Sequence, residues 1–212
     1  GAGDFTFLVT YDQIFKYDLK NKINENNFNV VMLPLHSKDY IQKSKPLNLN
    51  KFNIPKDAVI SATSNMWKVC FGDNEVLLEL IANLARKYPN YHHIFVGTER
   101  CLDNLTFFLN KNKDIEKQIH FIRAVNNIYS LLKKIDFWIN SFPTSGGSNI
   151  EAALVGIPSI DLTNNRNLNL HSVEFMNSRE CSVTNRAQFF KLADKLINNK
   201  AYRVNLGKYL KT

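Results

Sequence analysis

The sequence predicts an α/β protein, a doubly wound parallel sheet with helices on both faces, and three observations lead there. From residue 57 onward, short apolar runs rich in β-branched residues alternate with stretches of helical period. The helical stretches are about 7–15 residues long, which is the rhythm of βαβ units and not of hairpins. The chain has 212 residues, 44% of them apolar and 22% charged, enough to bury one large core with an ordinary globular surface.

Residues 5–10 (FTFLVT) read as a strand, 11–23 as an amphipathic helix and 28–33 (FNVVML) as a second strand. A polar stretch with Pro34, Pro46 and Pro55 as breakers follows, a linker or an extended arm. The alternation then gives strands at 58–62, 93–96, 119–122, 137–139 and 159–162, and helices at 74–88, 102–110, 128–134 and 149–155. Helical period returns at 171–176, 186–198 and 201–210 as a terminal group. The division expected is an N-terminal strand-helix-strand segment with linker over 1–50 and one α/β domain over 51–212.

Composition narrows the partners. The net charge of +8 suits an anionic ligand, but the basic residues are scattered, and Lys111, Lys113 and Lys117 are diluted by Asp114 and Glu116. A solvated basic surface is the expectation, with no nucleic-acid arm. No apolar run approaches the roughly 20 residues of a membrane helix, and the run 5–9 is too short for a signal peptide. Cys70, Cys101 and Cys181 match no zinc or disulfide spacing and read as small buried side chains in a reducing compartment, hence a cytoplasmic protein. His92 and His93 are adjacent in a strand, so they face opposite sides and cannot share a metal; His120 lies in another strand run and His36 in the polar arm.

In a doubly wound sheet ligands bind beyond the carboxyl ends of the strands, so the loops after strands hold the candidate site. The most informative is 136–162, DFWINSFPTSGGSNIEAALVGIPSIDL. It reads strand, polar loop, helix, turn, strand. Gly156 is placed to close the helix in the left-handed conformation, and Pro158 prevents its continuation. Gly146 and Gly147 leave backbone N–H groups unobstructed where the helix starts, at its positive dipole end, a suitable diphosphate site. Ser148 and Glu151 have two readings. They form an S-x-x-E capping box, or Glu151, one turn into the helix, accepts the hydroxyls of a nucleotide ribose. The carboxylate cannot do both at once.

This stretch resembles the donor-binding loop of glycosyltransferases related to O-GlcNAc transferase and the bacterial protein N-glucosyltransferases. Asn140-Ser141-Phe142-Pro143, Gly146-Gly147-Ser148, Glu151-Ala152 and Gly156-Ile157-Pro158 fall in register with that family's loop. Upstream, residues 54–59 resemble the family's entry to its first strand. Ser64-Asn65-Met66-Trp67-Lys68 resembles a segment whose lysine contacts the nucleotide diphosphate. The resemblance runs over roughly 45–212 and is strongest at the Gly-Gly loop.

The resemblance implies a Rossmann-like domain that forms the nucleotide-sugar-binding half of a GT-B fold. It implies Lys68, Gly146, Gly147, Ser148 and Asn149 around the diphosphate, Glu151 at the ribose, and Arg123, Ala124 and Val125 where the base is read. It implies a hexosyltransferase whose donor is a nucleotide diphosphate sugar, UDP-sugar favoured, and whose acceptor is a protein or glycan. No cofactor beyond the donor and no metal is expected, since no Asp-x-Asp motif is present. The retaining relatives carry a first carboxylate eight residues before the second, where this chain has Pro143, which points to inversion. Where relatives have a Ser-Arg-Val-Gly run, this chain shows Asn164-Asn165-Arg166-Asn167 and then His171, either donor-facing or plain loop residues. No general base is evident, and about 50 residues before the recognised part are too few for a second Rossmann domain. A separate chain or further domain is therefore expected to complete the cleft. Alternatives are a nucleotide-sugar epimerase on the same scaffold and a pseudo-transferase that only binds a partner.

Overall fold

The computed structural model describes residues 38–64, 75–98, 102–123, 125–140, 147–162 and 179–211. Among them the strands are β1 (Val59–Ser64), β2 (Tyr91–Gly97), β3 (Ile119–Arg123), β4 (Phe137–Ile139), β5 (Ser159–Leu162) and β6 (Ser182–Val183). Every pairing is parallel, and the order across the sheet is β3-β2-β1-β4-β5-β6. This is the Rossmann order, which reverses direction between β1 and β4. The expected doubly wound sheet is present. The early strands expected at 5–10 and 28–33, the helix between them and the helix at 171–176 lie outside the described residues.

The helices are α1 (Lys38–Lys43), α2 (Glu75–Lys87), α3 (Leu102–Lys111), α4 (Ile128–Leu132), α5 (Gly147–Leu154), α6 (Arg186–Asn198) and α7 (Lys200–Lys211). β2 is buried over all but its last residue, as a central parallel strand covered on both faces must be. Side chains alternate across the pleat and make two cores. On one face Tyr91, Phe95, Phe137 and Ile139 pack with Leu77, Leu80, Ile81 and Leu84 of α2 and Phe189, Leu192 and Leu196 of α6. On the other, Ile60, Ala62, Ile94, Val96 and Trp138 pack with Leu131 and Leu132 of α4 and Ala152 of α5. Asparagines start three helices: Asn127 accepts from the Tyr129 amide at 3.0 Å, Asn185 from the Gln188 amide at 2.9 Å and Asn199 from the Tyr202 amide at 2.9 Å.

The polar stretch before β1 is seated on the domain. Its side chains Ile41, Leu47, Leu49, Phe52 and Ile54 pack on the second core. Leu47 N–H donates to the Ser130 carbonyl at 2.8 Å, and Asn127 Nδ2 donates to Ser44 Oγ at 2.7 Å. Lys133 Nζ donates to the carbonyls of Gln42 and Ser44 at 3.1 and 2.7 Å, taking up oxygens that the end of α1 leaves unpaired.

The amino edge of the sheet is tied by one guanidinium. Arg203 of α7 donates to the carbonyls of Leu196 and Ile197 at the end of α6 and to Asp136 Oδ1 at 3.0 Å. Asp136 Oδ2 in turn accepts from the Ile60 amide at 2.9 Å. Terminal helices and the two central strands are thus joined through one buried side chain.

The histidines follow the pleat as expected, with His92 and His93 on opposite faces. His92 Nδ1 lies 2.9 Å from His120 Nε2, the rings stacked at 5.2 Å between centroids. His93 Nδ1 lies 2.7 Å from Ser61 Oγ, which is also 2.6 Å from the Tyr91 hydroxyl. Burial pushes the His93 imidazole down to about 3, and burial with the neighbouring His92 pushes His120 down to about 4, so these rings are neutral. Cys181 is buried; Cys70, Cys101 and His36 lie outside the described residues.

Candidate functional site at the carboxyl edge of the sheet

Because all strands are parallel, their carboxyl ends share one edge: Ser64, Gly97, Arg123, Asn140 just after β4, and Leu162. In sheets of this order the ligand crevice lies where the strand order reverses, which here is between β1 and β4. The helix that follows β4, α5, begins there.

Ser64 Oγ, at the end of β1, lies 2.9 Å from Ser148 Oγ in the first turn of α5. One hydroxyl donates to the other, and the contact joins segments 84 residues apart at the reversal point. β4 is tied in on both sides: Thr63 Oγ1 donates to the Ile139 carbonyl at 2.9 Å, and Asn140 N–H donates to the Ile160 carbonyl at 2.9 Å. Asn140 Nδ2 also donates to Asp161 Oδ1 at 3.0 Å, both side chains buried. These contacts hold the end of β4 between β1 and β5.

The far end of α5 is equally defined. Gly156 has φ 77°, its N–H bonds the Ala153 carbonyl at 2.9 Å, and the Ile157 N–H bonds the Ala152 carbonyl at 2.9 Å. This is the Schellman closure, which needs the left-handed residue that glycine supplies, as the sequence implied. Gly207 of α7 rests directly on this turn: a Cβ there would lie 1.9 Å from the Gly156 carbonyl oxygen. α5 is therefore held at both ends, with its amino terminus, the positive end of its dipole, at the carboxyl edge.

Gly147, Ser148, Asn149 and Glu151, four of the predicted site residues, lie on α5, which starts at this edge. Gly147 is the first residue of α5, Ser148 is half-buried beside Ser64, Asn149 is fully buried and Glu151 is half-buried one turn on. Ser148 lies in the first turn of α5, its hydroxyl beside that of Ser64. Glu151 sits near Tyr129 at the start of α4; burial first, then the Glu151 carboxylate, push that phenol up to about 12. Arg123 is exposed at the end of β3, and Val125 is half-buried against the second core. Lys68, Gly146, Ala124, Arg166 and His171 lie outside the described residues. Among the described residues no group of three His, Cys, Asp or Glu is arranged to hold a metal, and no helix is long and apolar enough to cross a membrane. Ser64, named in the sequence only as the opening of the segment that ends at Lys68 and lying two residues past the strand expected at 58–62, is placed by the structure at the end of β1.

Comparison with known proteins adds the fold and nothing narrower. No protein-family model matches this sequence, and no curated protein matches it significantly. A glycosyltransferase from Rickettsia africae matches in structure with TM-score 0.67 at 16% identity, covering 94% of this chain and 55% of that one. WaaG, a glycosyltransferase involved in lipopolysaccharide biosynthesis, matches with TM-score 0.64 at 15% identity, covering 96% and 56%. The UDP-GlcNAc 2-epimerase of Neisseria meningitidis, solved bound to UDP-GlcNAc, matches with TM-score 0.55 at 18% identity, covering 74% and 41%. The chain thus spans about half the length of these proteins. At such identities the likeness carries no assignment to the O-GlcNAc transferase branch. The chain has the Rossmann-like fold that forms about half of these two glycosyltransferases and this epimerase.

Proposed function

We propose that this domain binds the nucleotide diphosphate sugar, with UDP favoured, for a glycosyltransferase of GT-B architecture, the acceptor being a protein or glycan. The observation that carries the reading is the placement of α5: its amino terminus starts at the β1/β4 reversal and is pinned there by Ser148 to Ser64. A diphosphate at that position meets the partial positive charge of the helix end and the N–H groups of Gly147 to Asn149. As the glycosidic bond breaks, the leaving diphosphate gains negative charge. Donors already fixed in place stabilise it without reorganisation. Lys68 supplies the compensating ammonium in this reading and Glu151 accepts from the ribose. Transfer with inversion, without a metal ion, remains the expected chemistry. The general base and the acceptor site belong to a partner domain or chain.

Calorimetric titration with UDP tests the reading. Lys68→Ala and Glu151→Ala are each expected to weaken binding by about 10- to 100-fold, the range for losing a charged hydrogen bond. No heat at millimolar UDP would end it.

The epimerase likeness favours a second reading, in which the same site holds UDP-GlcNAc for inversion at the sugar's C2 carbon. The full-length protein would then convert UDP-GlcNAc to its epimer with no acceptor present. A carbohydrate transfer product and no epimer supports the first reading.

A further inference from the structure

β1, VISATS, carries three hydroxyls, and two of them are used inside the protein. Ser61 Oγ lies between the Tyr91 hydroxyl and His93 Nδ1, and Thr63 Oγ1 donates to the Ile139 carbonyl. Ser64, the last residue of the strand, meets a second hydroxyl, that of Ser148 at 2.9 Å. Each hydroxyl holds one proton and two lone pairs, so the pair has two protons and its mutual bond uses one. Among the described residues neither oxygen has a further hydrogen-bond partner. Both side chains are half-buried. A partly desolvated donor is thus left over beside the first amides of α5.

We propose that Ser64 is a positioning residue for the diphosphate and acts through Ser148; this rests on the donor-site reading above. The hydroxyl pair can be oriented in two senses. If Ser148 donates to Ser64, its proton is spent, and it offers a bound anion only lone pairs. If Ser64 donates to Ser148, the Ser148 proton is released for a phosphate oxygen. Ser148 stands in the first turn of α5, between the two residues whose amides meet that phosphate in the donor-site reading. Ionised phosphate oxygens accept hydrogen bonds and cannot donate them, so the anion selects the second sense. A hydroxyl that accepts a hydrogen bond is also polarised into a stronger donor. Ser64 therefore sets the direction in which Ser148 donates without touching the ligand itself.

The test is titration of the protein with UDP and with inorganic pyrophosphate, which separates the phosphates from the base. Ser148→Ala removes a hydrogen bond to a charged group and is expected to weaken both ligands about 30-fold. Ser64→Ala removes only the orienting bond and should cost about fivefold for both. Ser64→Cys, close in size but a weak donor, should behave as Ser64→Ala does, and Ser64→Thr, which keeps the hydroxyl, should recover most of the affinity. In the Ser148→Ala background, Ser64→Ala should cost nothing further. Circular dichroism at the titration temperature confirms that each variant is folded. Equal losses in Ser64→Ala and Ser148→Ala would reduce the contact to a tie between β1 and α5 and overturn the proposal. So would a full loss from Ser64→Ala in the Ser148→Ala background, which makes the two act separately, or full affinity in Ser64→Cys. A parent that binds neither ligand ends the donor-site reading and this inference together. A parent that binds both, matched by Ser64→Ala, ends only the role of Ser64.

Discussion

Gly207 of α7 sits on the carbonyl of Gly156 so closely that no side chain fits between them: a Cβ would come within 1.9 Å of that oxygen. The contact sets the position of the turn that ends α5, and with it the direction of the helix whose other end faces the crevice. A backbone oxygen in a closed turn cannot move aside as a flexible side chain would.

Gly207→Ala is therefore expected to destabilise the fold by about 3 kcal/mol, the upper part of the overpacking range. Gly156→Ala forces a left-handed alanine and costs about 1–2 kcal/mol. Urea unfolding followed by circular dichroism measures both. Equal stability of Gly207→Ala and the parent would show that α7 does not bear on the turn.

Arg203→Met is expected to cost about 3 kcal/mol, because it leaves Asp136 without its cation and two α6 carbonyls without a donor. Arg203→Lys should recover less than half of that, since an ammonium cannot span both helix carbonyls and the carboxylate. The same unfolding experiment, run on both variants, checks the order.

The buried imidazoles make stability depend on pH. His120 and His93 titrate in the folded state near 4 and 3, against about 6.5 when unfolded. Between those values the unfolded chain binds more protons, so stability rises with pH. Their contribution is fully present above about pH 6.5 and is lost as pH falls through 4. On the order of 3 kcal/mol per group is at stake if burial persists. Unfolding free energies at pH 7 and pH 5 should differ, and His120→Gln should reduce the difference. A parent protein equally stable at both would contradict the burial of these rings.

Ser64→Ala and Ser148→Ala are expected to be non-additive. Each alone loses one hydrogen bond and leaves a half-buried hydroxyl unmatched, about 1 kcal/mol, while the double variant costs scarcely more than either. A double-mutant cycle on unfolding free energy reads the coupling directly; strict additivity would mean that the hydroxyls do not bond.

The sequence was most informative where a single period governed a long segment. β4, β5 and α6 occupy the residues expected for them, because a buried apolar run, a Gly-Ile-Pro stop and a 13-residue amphipathic repeat each leave one reading. β6 was missed since two residues, Ser182 and Val183, carry no period; they are a strand only because β5 offers them a neighbour. α1 was missed because KDYIQK, placed among prolines, has no helical signal of its own and is stabilised by docking on α4. Strand order was equally hidden. Alternation implies parallel strands but not which are adjacent, so the Ser64–Ser148 contact and the His92–His120 pair could emerge only with the register. The glycine turn at 156 was legible because left-handed closure is a local demand. The placement of α5 at the reversal was implied by a general property of such sheets, and the order of β1 and β4 makes it specific.

In the proposed function a nucleotide diphosphate rests at the start of α5, between the carboxyl ends of β1 and β4. Two-dimensional amide NMR of the protein during addition of UDP tests it most directly. Saturable shifts are expected at the amides of Gly147, Ser148 and Asn149 and at Ser64, with Asp136 and Arg203 at the opposite edge unmoved. Saturable shifts confined to another region, or none at millimolar UDP, would contradict it.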